Sequence, residues 1–364
     1  MAGRFRSVLP SARKLRPRPS ILYPVLWRFA AERQRIYLRR LSGASSPWTD
    51  DSVLTAYRFT NVFRAADRVS QYLIRLVYTD REVSHDTLFL RSILFKIFNR
   101  IDTWQGIVGK LGAPVANRFD YAACDELLAA RRTRGPIYSA AYIMPSGGRS
   151  GVPKHRMHLG LVRDMVADGL PAKLGQTNSL REAYVLLLAW PTLGPFLAFQ
   201  YAIDLNYTSL MSHPESDFVV AGPGALDGLA KCFESLGEFN PAEAILWLTD
   251  RQEEEFERYE LSFTGLWGRP LQPIDVQNLL CEVAKYTRAT HPAIKGRSGR
   301  TRIKQRFTAA GVLPRPFFPP KWNLNRRVDD WFNNGVTTDG SSQGAQAVLP
   351  LCDSDSGPRS GDGD

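Results

Sequence analysis

Three acidic residues of this sequence stand where a carboxylate could transfer a proton. Asp204 interrupts the apolar run 189–207, AWPTLGPFLAFQYAIDLNY. Asp217 follows that run, and Glu282 lies between an amide and a lysine at helical spacing. A carboxylic acid held beside a reacting group acts as a general acid or base. Structural alternatives exist, since Asp217 could cap the next helix and Glu282 could belong to an ion-pair ladder.

Arginine and amide side chains recur at helical spacing in residues 58–73, RFTNVFRAADRVSQYL. Steps of three and four residues predict that they share one polar face opposite the apolar face of a helix. These residues are Asn61, Arg64, Arg68 and Gln71. Guanidinium and carboxamide groups are suited to binding phosphates or base edges. The alternative is a solvated polar face.

Glycines at two predicted helix starts could admit a phosphate group to the backbone N–H groups. Gly194 lies in a turn, PTLGPFL, that resembles a helix-hairpin-helix turn, although Thr192 replaces its first glycine. Gly222 and Gly224 open another helix that carries Lys231. A helix start favours anions, and glycine lacks the side chain that would block their approach. Neither stretch has the Gly-Lys-Ser/Thr of a nucleotide-binding P-loop.

The densest positive charge lies at residues 295–306, in KGRSGRTRIKQRF. We name this stretch the basic segment. Its cations are Lys295, Arg297, Arg300, Arg302, Lys304 and Arg306. Such a run predicts contact with phosphates, with a nuclear-import patch as the alternative.

The composition supports a polyanionic partner, because the net charge is +11 and the isoelectric point is about 9.6. The four cysteines form no CxxC pair, which favours a reducing compartment. His155 and His158 form an H-x-x-H pair, but a structural zinc site needs four ligands. We therefore predict no metal and no cofactor.

The elements that must position these residues are predicted to be mainly α-helical. Helical patterns cover 52–79, 84–100, 121–133, 155–169, 179–189, 224–236, 241–259 and 273–289. Extended structure is limited to at most a short β-hairpin near 137–152. The predicted divisions are a basic N-terminal arm at 1–47, a helical domain at 48–310, a proline- and aromatic-rich extension at 311–334 and a disordered acidic tail at 335–364.

The apolar run 189–207 does not predict a membrane span, because prolines break it and a span needs about 20 apolar residues. The arginine-rich start of the chain leaves an organelle transit peptide as an alternative to a phosphate-binding arm.

Four blocks, taken in order, resemble one family. They are YRFTNVFRAADRVSQYL, LGPFLAFQYAIDLNY, SDFVVAGPGALDGLAKCF and LQPIDVQNLLCEVAKYTR, within residues 48–310. They are similar to the helical domain attached to 5-hydroxymethyluracil DNA kinases, which also occurs alone in DNA base hypermodification proteins. That family is related to the helix-hairpin-helix DNA glycosylases and to the α-glutamyl/putrescinyl-thymine pyrophosphorylases.

The resemblance implies a helix-hairpin-helix, glycosylase-like core that flips a pyrimidine out of DNA into a pocket. Asp204, Asp217 or Glu282 would be the acid or base. The base and its substituent would be bound by Asn61, Arg64, Arg68, Gln71, Gln200, Gln277, Asn278 and Lys285. The DNA phosphates would be bound by Gly194, Gly222, Gly224, Lys231, Arg297, Arg300, Arg302 and Lys304.

The resemblance also implies partners and rival functions. The chain has no P-loop, so we expect no kinase activity and a separate P-loop DNA kinase or aminotransferring enzyme as partner. The main hypothesis is substitution at the activated 5-methylene of a 5-hydroxymethyluracil-derived base. The alternatives are a non-catalytic DNA-binding module and a base-excising glycosylase. The expected location is the nucleoid in a prokaryote or virus and the nucleus in a eukaryote.

Overall fold

The computed structural model describes residues 14–80, 83–146, 151–308 and 311–334. Helices make up nearly all of its regular structure, which confirms the mainly α-helical fold class. In chain order they are α1 (Tyr23–Leu41), α2 (Ser52–Ala56), α3 (Arg68–Val77), α4 (His85–Phe98), α5 (Ile101–Leu111), α6 (Tyr121–Arg132), α7 (Lys154–Ala167), α8 (Leu170–Gly175), α9 (Leu180–Leu188), α10 (Pro195–Asn206), α11 (Pro223–Cys232), α12 (Pro241–Asp250), α13 (Gln252–Arg258), α14 (Pro273–Thr290) and α15 (Asn325–Asn333). Three 3₁₀ turns occupy Arg64–Ala66, Ala116–Arg118 and Pro320–Trp322.

Helix starts follow from local sequence signals. Proline is the first residue of α10, α11, α12 and α14, where the missing N–H leaves no helical hydrogen bond unmade. Ser84 accepts a hydrogen bond from the Thr87 N–H and caps α4, as its position in the sequence predicts.

Helices α4, α10 and α14 form the centre of the fold. In α4 every residue from Thr87 to Phe98 is buried, and in α10 every residue from Leu197 to Asn206 is buried. Helix α9 packs against α10, and α14 packs against α11, α12 and α1. A helix that is buried all round belongs to a core rather than to a surface. Within the described residues no helix has both the length and the apolar character to cross a bilayer.

Residues 52–79 do not form the single helix that their periodicity predicts. An irregular segment, 57–63, and a 3₁₀ turn separate α2 from α3. Arg33 donates two hydrogen bonds to the Thr60 carbonyl oxygen, and Glu282 accepts one from the Thr60 N–H. These bonds to distant side chains take the place of helical hydrogen bonds, so the periodic pattern was misleading here.

The start of the described chain is not an extended arm. Helix α1 lies in the core, where Trp27 and Phe29 are buried. The predicted arm therefore fails between residues 14 and 47, and its first part lies outside the described residues. The chain division at residues 310 and 311 stays a prediction, and 335–364 also lies outside the described residues.

Extended structure occurs in a different place from the predicted hairpin. Strands β1 (Arg18–Pro19) and β2 (Phe233–Ser235) pair antiparallel and join distant parts of the chain. Residues 137–146 are irregular, and 147–150 lie outside the described residues. A hydrogen bond from the Ser139 N–H to the Phe98 carbonyl oxygen, rather than a partner strand, attaches this segment to the fold.

Close packing of α11 on α14 depends on two glycines. A Cβ atom at Gly224 would lie less than 3.0 Å from the Cys281 Sγ, and one at Gly228 less than 3.0 Å from the Leu280 carbonyl oxygen. The contact at Gly228 is with backbone, which cannot turn away as a flexible side chain can. Gly228 thus sets the distance between the two helices.

Replacing Gly228 by alanine is expected to lower the free energy of unfolding by about 1–3 kcal/mol, because the new methyl group forces α11 and α14 apart. Gly160, on α7, is the matched control, since no neighbouring atom of the described residues lies within 4 Å of an added Cβ there. Alanine at Gly160 should stabilise by about 0.5–1 kcal/mol through helix propensity. Urea unfolding measures both values, and equal changes of the same sign would contradict the packing role.

Candidate functional site

Three charged side chains meet at the centre of the fold, and we call them the ionic cluster. Asp204, on α10, lies 2.8 Å from Arg64 and 3.3 Å from Lys96, measured from the carboxylate oxygens to Nη1 and Nζ. Lys96 is on α4, and Arg64 is in the 3₁₀ turn before α3. All three side chains are at most 2% exposed. The cluster therefore carries two cations and one anion in a water-poor environment.

Hydrogen bonds from two helices hold Arg64 in place. Its backbone N–H donates to Asp275 on α14 at 2.8 Å, and its Nε donates to Gln200 on α10 at 3.1 Å. The Gln200 amide donates in turn to Gln277 at 3.3 Å. The structure thus brings together four of the predicted site residues, Arg64, Gln200, Asp204 and Gln277, through bonds between α10 and α14.

Burial and charge act against each other in the ionic cluster. Burial lowers the pKa of Lys96 to about 8, although Asp204 favours its charged form. Burial also disfavours the charge on Arg64, but Asp204, Tyr207 and Tyr142 together outweigh it, so that the pKa of Arg64 lies well above the usual range. An uncompensated cation at this depth is costly, so the carboxylate of Asp204 is essential to the cluster.

Polar groups of the ionic cluster have unused hydrogen-bonding capacity. Neither Nη atom of Arg64 and neither carboxylate oxygen of Asp204 meets a partner with hydrogen-bond geometry in the described residues. The contact between these two side chains is an ion pair with 2.8 Å between the Arg64 Nη1 and an Asp204 carboxylate oxygen. Buried polar groups are normally satisfied, and exceptions mark sites that a ligand or water can complete.

An aromatic side chain covers the ionic cluster. The Tyr142 ring centre lies 4.9 Å from the Lys96 Nζ and 6.0 Å from the Arg64 Cζ. The ring is stacked on Phe196, with 5.9 Å between centres and 8° between planes. Burial raises the pKa of Tyr142 to about 12, while Arg64 acts in the opposite direction. Sequence reasoning missed Tyr142 and Lys96, the latter because it lies in an apolar run.

Asp217 is exposed in the loop between α10 and α11. It does not cap α11, because Gly222 occupies that position. The buried acid of this loop is Glu215, whose carboxylate accepts a hydrogen bond from Asn206 at 3.3 Å and pairs with Arg269 at 3.4 Å. Burial raises the pKa of Glu215, and Arg269 opposes the rise. Nothing in the sequence distinguishes these two acids two residues apart.

Glu282 binds the irregular segment 57–63 rather than the ionic cluster. Its Oε2 accepts hydrogen bonds from the Thr60 N–H at 3.0 Å and from Lys285 at 2.7 Å. Lys285 also lies 4.5 Å from the Phe59 ring centre. Asn278, one turn earlier on α14, is half-buried. These contacts attach segment 57–63 to α14.

The predicted polar face of residues 58–73 does not form, because the helix is broken there. The Asn61 amide donates to the Ala66 carbonyl oxygen at 2.8 Å. The Gln71 amide nitrogen donates hydrogen bonds to the carbonyl oxygens of Ala65 and Phe317, and its oxygen accepts one from the Phe317 N–H. Arg68 is exposed at the start of α3. Only Arg64 of this group enters the ionic cluster.

The predicted phosphate cradle at Gly222 and Gly224 is filled by protein. A Cβ at Gly222 would meet Phe196 and Gln277, just as one at Gly224 would meet α14. Lys231 is 2% exposed and donates to the Ala284 carbonyl oxygen and to a threonine hydroxyl, both at 3.1 Å. These residues hold α11 against α14, so the cradle interpretation was wrong for them.

In the turn between α9 and α10, Thr192 replaces the first glycine of the predicted motif but still has a left-handed backbone conformation. Thr192 has a φ of 69°, in the left-handed region that favours glycine. Gly194, with a φ of −69°, is the exposed cap residue of α10. Pro195 follows it and removes one N–H from the helix start. The turn leaves Gly194 accessible, and its phosphate-binding role stays a prediction.

Every cation of the basic segment is exposed, and none pairs with an acid of the described chain. Two anchors hold the segment. The buried carboxylate of Asp227 accepts hydrogen bonds from the Ser298 N–H and hydroxyl at 2.8 and 3.0 Å. At the other end Arg306 lies 4.6 Å from the Tyr57 ring centre, and the Phe307 N–H donates to the Ala56 carbonyl oxygen.

The histidine pair shows no sign of a metal site. His158 bonds the Tyr138 hydroxyl at 2.9 Å and the Pro145 carbonyl oxygen at 2.8 Å. His155 faces Asp125 at 3.3 Å. The part of the chain that the structure describes contains no group of three or more histidine, cysteine or acidic residues placed to hold a metal.

Replacing Asp275 by asparagine is expected to flatten the pH dependence of stability between about pH 4 and 7. Burial raises the pKa of Asp275 from 3.8 to about 7, and hydrogen bonds from Gln272 and Arg64 only partly oppose this. The folded chain therefore binds a proton that the unfolded chain has lost, so stability falls as the pH rises through this range, by roughly 4 kcal/mol. Asparagine cannot titrate.

Urea unfolding of both proteins at pH 4, 5.5 and 7 measures this difference. The loss of the Gln272 hydrogen bond lowers the stability of the variant equally at every pH, so only the slope matters. Parallel curves for the two proteins would contradict a buried, protonated Asp275.

Comparisons with known proteins point to the family that the four sequence blocks resemble. Residues 20–296 match the family model described as 5-hmdU DNA kinase, helical domain. A 5-hmdU DNA kinase from Bacillus phage SP10 is 28% identical over 276 residues, which cover 70% of this chain and 43% of the phage protein. This chain spans less than half the length of that curated relative. No solved structure matches it.

Proposed function

This chain belongs to the family of the 5-hmdU DNA kinase helical domain, and from that premise we propose that it acts on DNA in the modification of 5-hydroxymethyluracil. The basic segment binds the DNA backbone, and the ionic cluster receives the target base. The observation that carries this proposal is the basic segment, whose cations are all exposed and unpaired within the described residues although its backbone is anchored.

An anchored, exposed row of cations is suited to phosphates. Long cationic side chains lose conformational freedom on binding, and a fixed backbone limits that loss. The release of counterions from DNA then drives association. Arg306 of the basic segment lies over the Tyr57 ring, and Arg40 of α1 lies over the Trp48 ring. Aromatic rings stacked with arginines add surfaces on which unstacked bases can lie.

The ionic cluster is suited to a flipped base. Its unsatisfied carboxylate and guanidinium groups are complementary to the donor and acceptor edge of a pyrimidine. In the dry interior such hydrogen bonds are stronger than in water, which offsets the few kcal/mol that base flipping costs. In substitution at the activated 5-methylene, an amine forms the new C–N bond while the C–O bond to a phosphate leaving group breaks. We propose that Asp204 accepts the proton that the amine loses, and that Arg64 and Lys96 stabilise the negative charge on the leaving phosphate.

A non-catalytic module is the second candidate function. The observation that favours it is the pairing of Asp204 with two cations, because both carboxylate oxygens are then engaged in ion pairs that hold helices together. In this function the chain delivers a kinase or transferase to DNA. Base excision is a poorer match, since Asp217, the acid on which that hypothesis rests, is exposed in a loop.

Nucleoside mass spectrometry distinguishes the candidates. DNA is taken from cells that hold 5-hydroxymethyluracil DNA and a 5-hmdU DNA kinase, with and without this chain. We expect a derivative of 5-hydroxymethyluracil that depends on the chain. Asp217→Asn and Glu282→Gln should leave it in place. Loss of the derivative only when the basic segment is neutralised supports the module, and unchanged nucleosides in all samples contradict the proposal.

A further inference from the structure

The segment that carries Tyr142 is fixed on both sides of that residue. Before it, Ile137 is buried and the Ser139 N–H is bonded to helix α4. After it, Met144 is fully buried and the Pro145 carbonyl oxygen is bonded to His158. Between these anchors the backbone turns sharply, so the Tyr142 side chain is carried by a short loop over the ionic cluster.

Tyr142 adopts a conformation that tyrosine rarely takes. Its φ of 56° lies in the left-handed region, where a non-glycine residue is strained. Its neighbours Ala141 and Ile143 are exposed, and Ile143 is 64% exposed although it is a large apolar residue. The loop thus directs an aromatic ring inward and leaves an isoleucine in solvent.

The inward ring occupies a slot whose walls are suited to a planar, polar ring. Phe196 supplies the stacking surface, and its ring lies against Gly222, where any side chain would displace it. Lys96 lies over the ring, and so does the guanidinium group of Arg64, which is paired with Asp204. A phenol ring uses the stacking surface but satisfies few of these groups.

We propose that the Tyr142 ring stands in for the base of the substrate, and that this slot binds a pyrimidine of the uracil type after Tyr142 moves out. This inference rests on the proposed function and names the ligand of its site. A uracil-type base has an N3–H flanked by two carbonyl oxygens. The N3–H can donate to the Asp204 carboxylate while a carbonyl oxygen accepts from Arg64.

The same orientation is unfavourable for cytosine. Cytosine has an acceptor at N3, so in this orientation it would turn that lone pair toward the Asp204 carboxylate, and only a shifted position would bring its amino group there. A buried site built for a donor rejects a ligand without it, because its own groups are then left unpaired. The slot should therefore prefer thymine, uracil and 5-hydroxymethyluracil to cytosine.

Tyr142→Ala in the full chain tests the proposal with free bases, which do not require the basic segment. Isothermal titration calorimetry with 5-hydroxymethyluracil, cytosine and benzene measures binding. We expect the variant to bind 5-hydroxymethyluracil at least about tenfold more tightly than the unaltered chain, since the competing ring is gone, and more tightly than cytosine or benzene. Tyr184→Ala is the matched control, because Tyr184 is also half-buried against a phenylalanine, Phe218, and should create no such site.

Two results would overturn the proposal. Equal binding of benzene and 5-hydroxymethyluracil would show a plain apolar cavity, and a folded variant that binds neither would show that Tyr142 is part of the core. If the variant does not fold, 3-fluorotyrosine at position 142 of the otherwise unaltered chain gives the answer by ¹⁹F NMR. Saturating 5-hydroxymethyluracil should shift its resonance toward the solvent-exposed value, whereas an unchanged resonance contradicts the proposal. Loss of DNA binding by the basic segment affects neither readout.

Discussion

Replacing Asp204 by asparagine is expected to lower the free energy of unfolding by about 3–5 kcal/mol. Asparagine keeps the shape of the side chain but removes the acid that forms ion pairs with the side chains of Arg64 and Lys96. Two like charges then remain close together where water is absent. Lys96 limits the loss by giving up its proton, since its pKa is already about 8. Urea unfolding at pH 7 measures the effect.

The control is Lys96→Met, which leaves Arg64 and Asp204 as a balanced pair. A methionine of similar volume should change the stability by no more than about 1 kcal/mol. In the double variant Asp204→Asn/Lys96→Met, the loss should be smaller than for Asp204→Asn alone, because one of the two cations is gone. Additive losses in this cycle would contradict an ionic cluster with an excess positive charge.

Neutralising the basic segment is expected to weaken DNA binding on the order of a thousandfold near 0.1 M salt. The change is the replacement of Arg297, Arg300, Arg302 and Lys304 by glutamine. Each lost phosphate contact should also reduce the slope of log affinity against log salt by about one. The stability should be unaffected, because these side chains are exposed and unpaired in the described structure. Fluorescence anisotropy with a labelled duplex at several salt concentrations gives both quantities.

A second protein with the same change in charge shows whether position matters. Lys110, Arg134, Arg163 and Lys173 are exposed on other elements, and their replacement by glutamine removes the same four charges. We expect less than about a tenfold loss of affinity from this control. If both variants lose the same affinity and the same salt slope, DNA is attracted by net charge alone and the basic segment has no special role.

Elements that depend on local signals could be predicted from the sequence. Patterns at 84–100, 179–189 and 273–289 correspond to α4, α9 and α14, whose starts have a serine cap or a proline. Segment 57–63 could not be predicted, because its backbone is bound by side chains more than 20 residues away in sequence. A periodic apolar pattern records which side chains are buried and not how the backbone between them is bonded.

The residues of the ionic cluster could be predicted where a polar side chain interrupts an apolar run of the sequence. Asp204 and Gln200 break an apolar run and do lie together with Arg64. Lys96 interrupts an apolar run in the same way and was missed, although a lysine in a helix buried all round is a comparable signal. Gly224 shows the converse error, since glycine permits the close approach of any neighbour, and here the neighbour is a helix rather than a phosphate.

The region of similarity to the family ends at residue 296, but the folded unit continues beyond it. Residues 311–334 return to the core, where Phe318 is fully buried. The side chain of Gln71 forms hydrogen bonds with the backbone N–H and carbonyl oxygen of Phe317. Lys321 donates to the Thr208 carbonyl oxygen in the loop that contains Glu215. A recombinant fragment cut at the end of the similarity would therefore expose apolar surface and would lack most of the basic segment. Fusion proteins and crystallisation fragments should extend at least to residue 334.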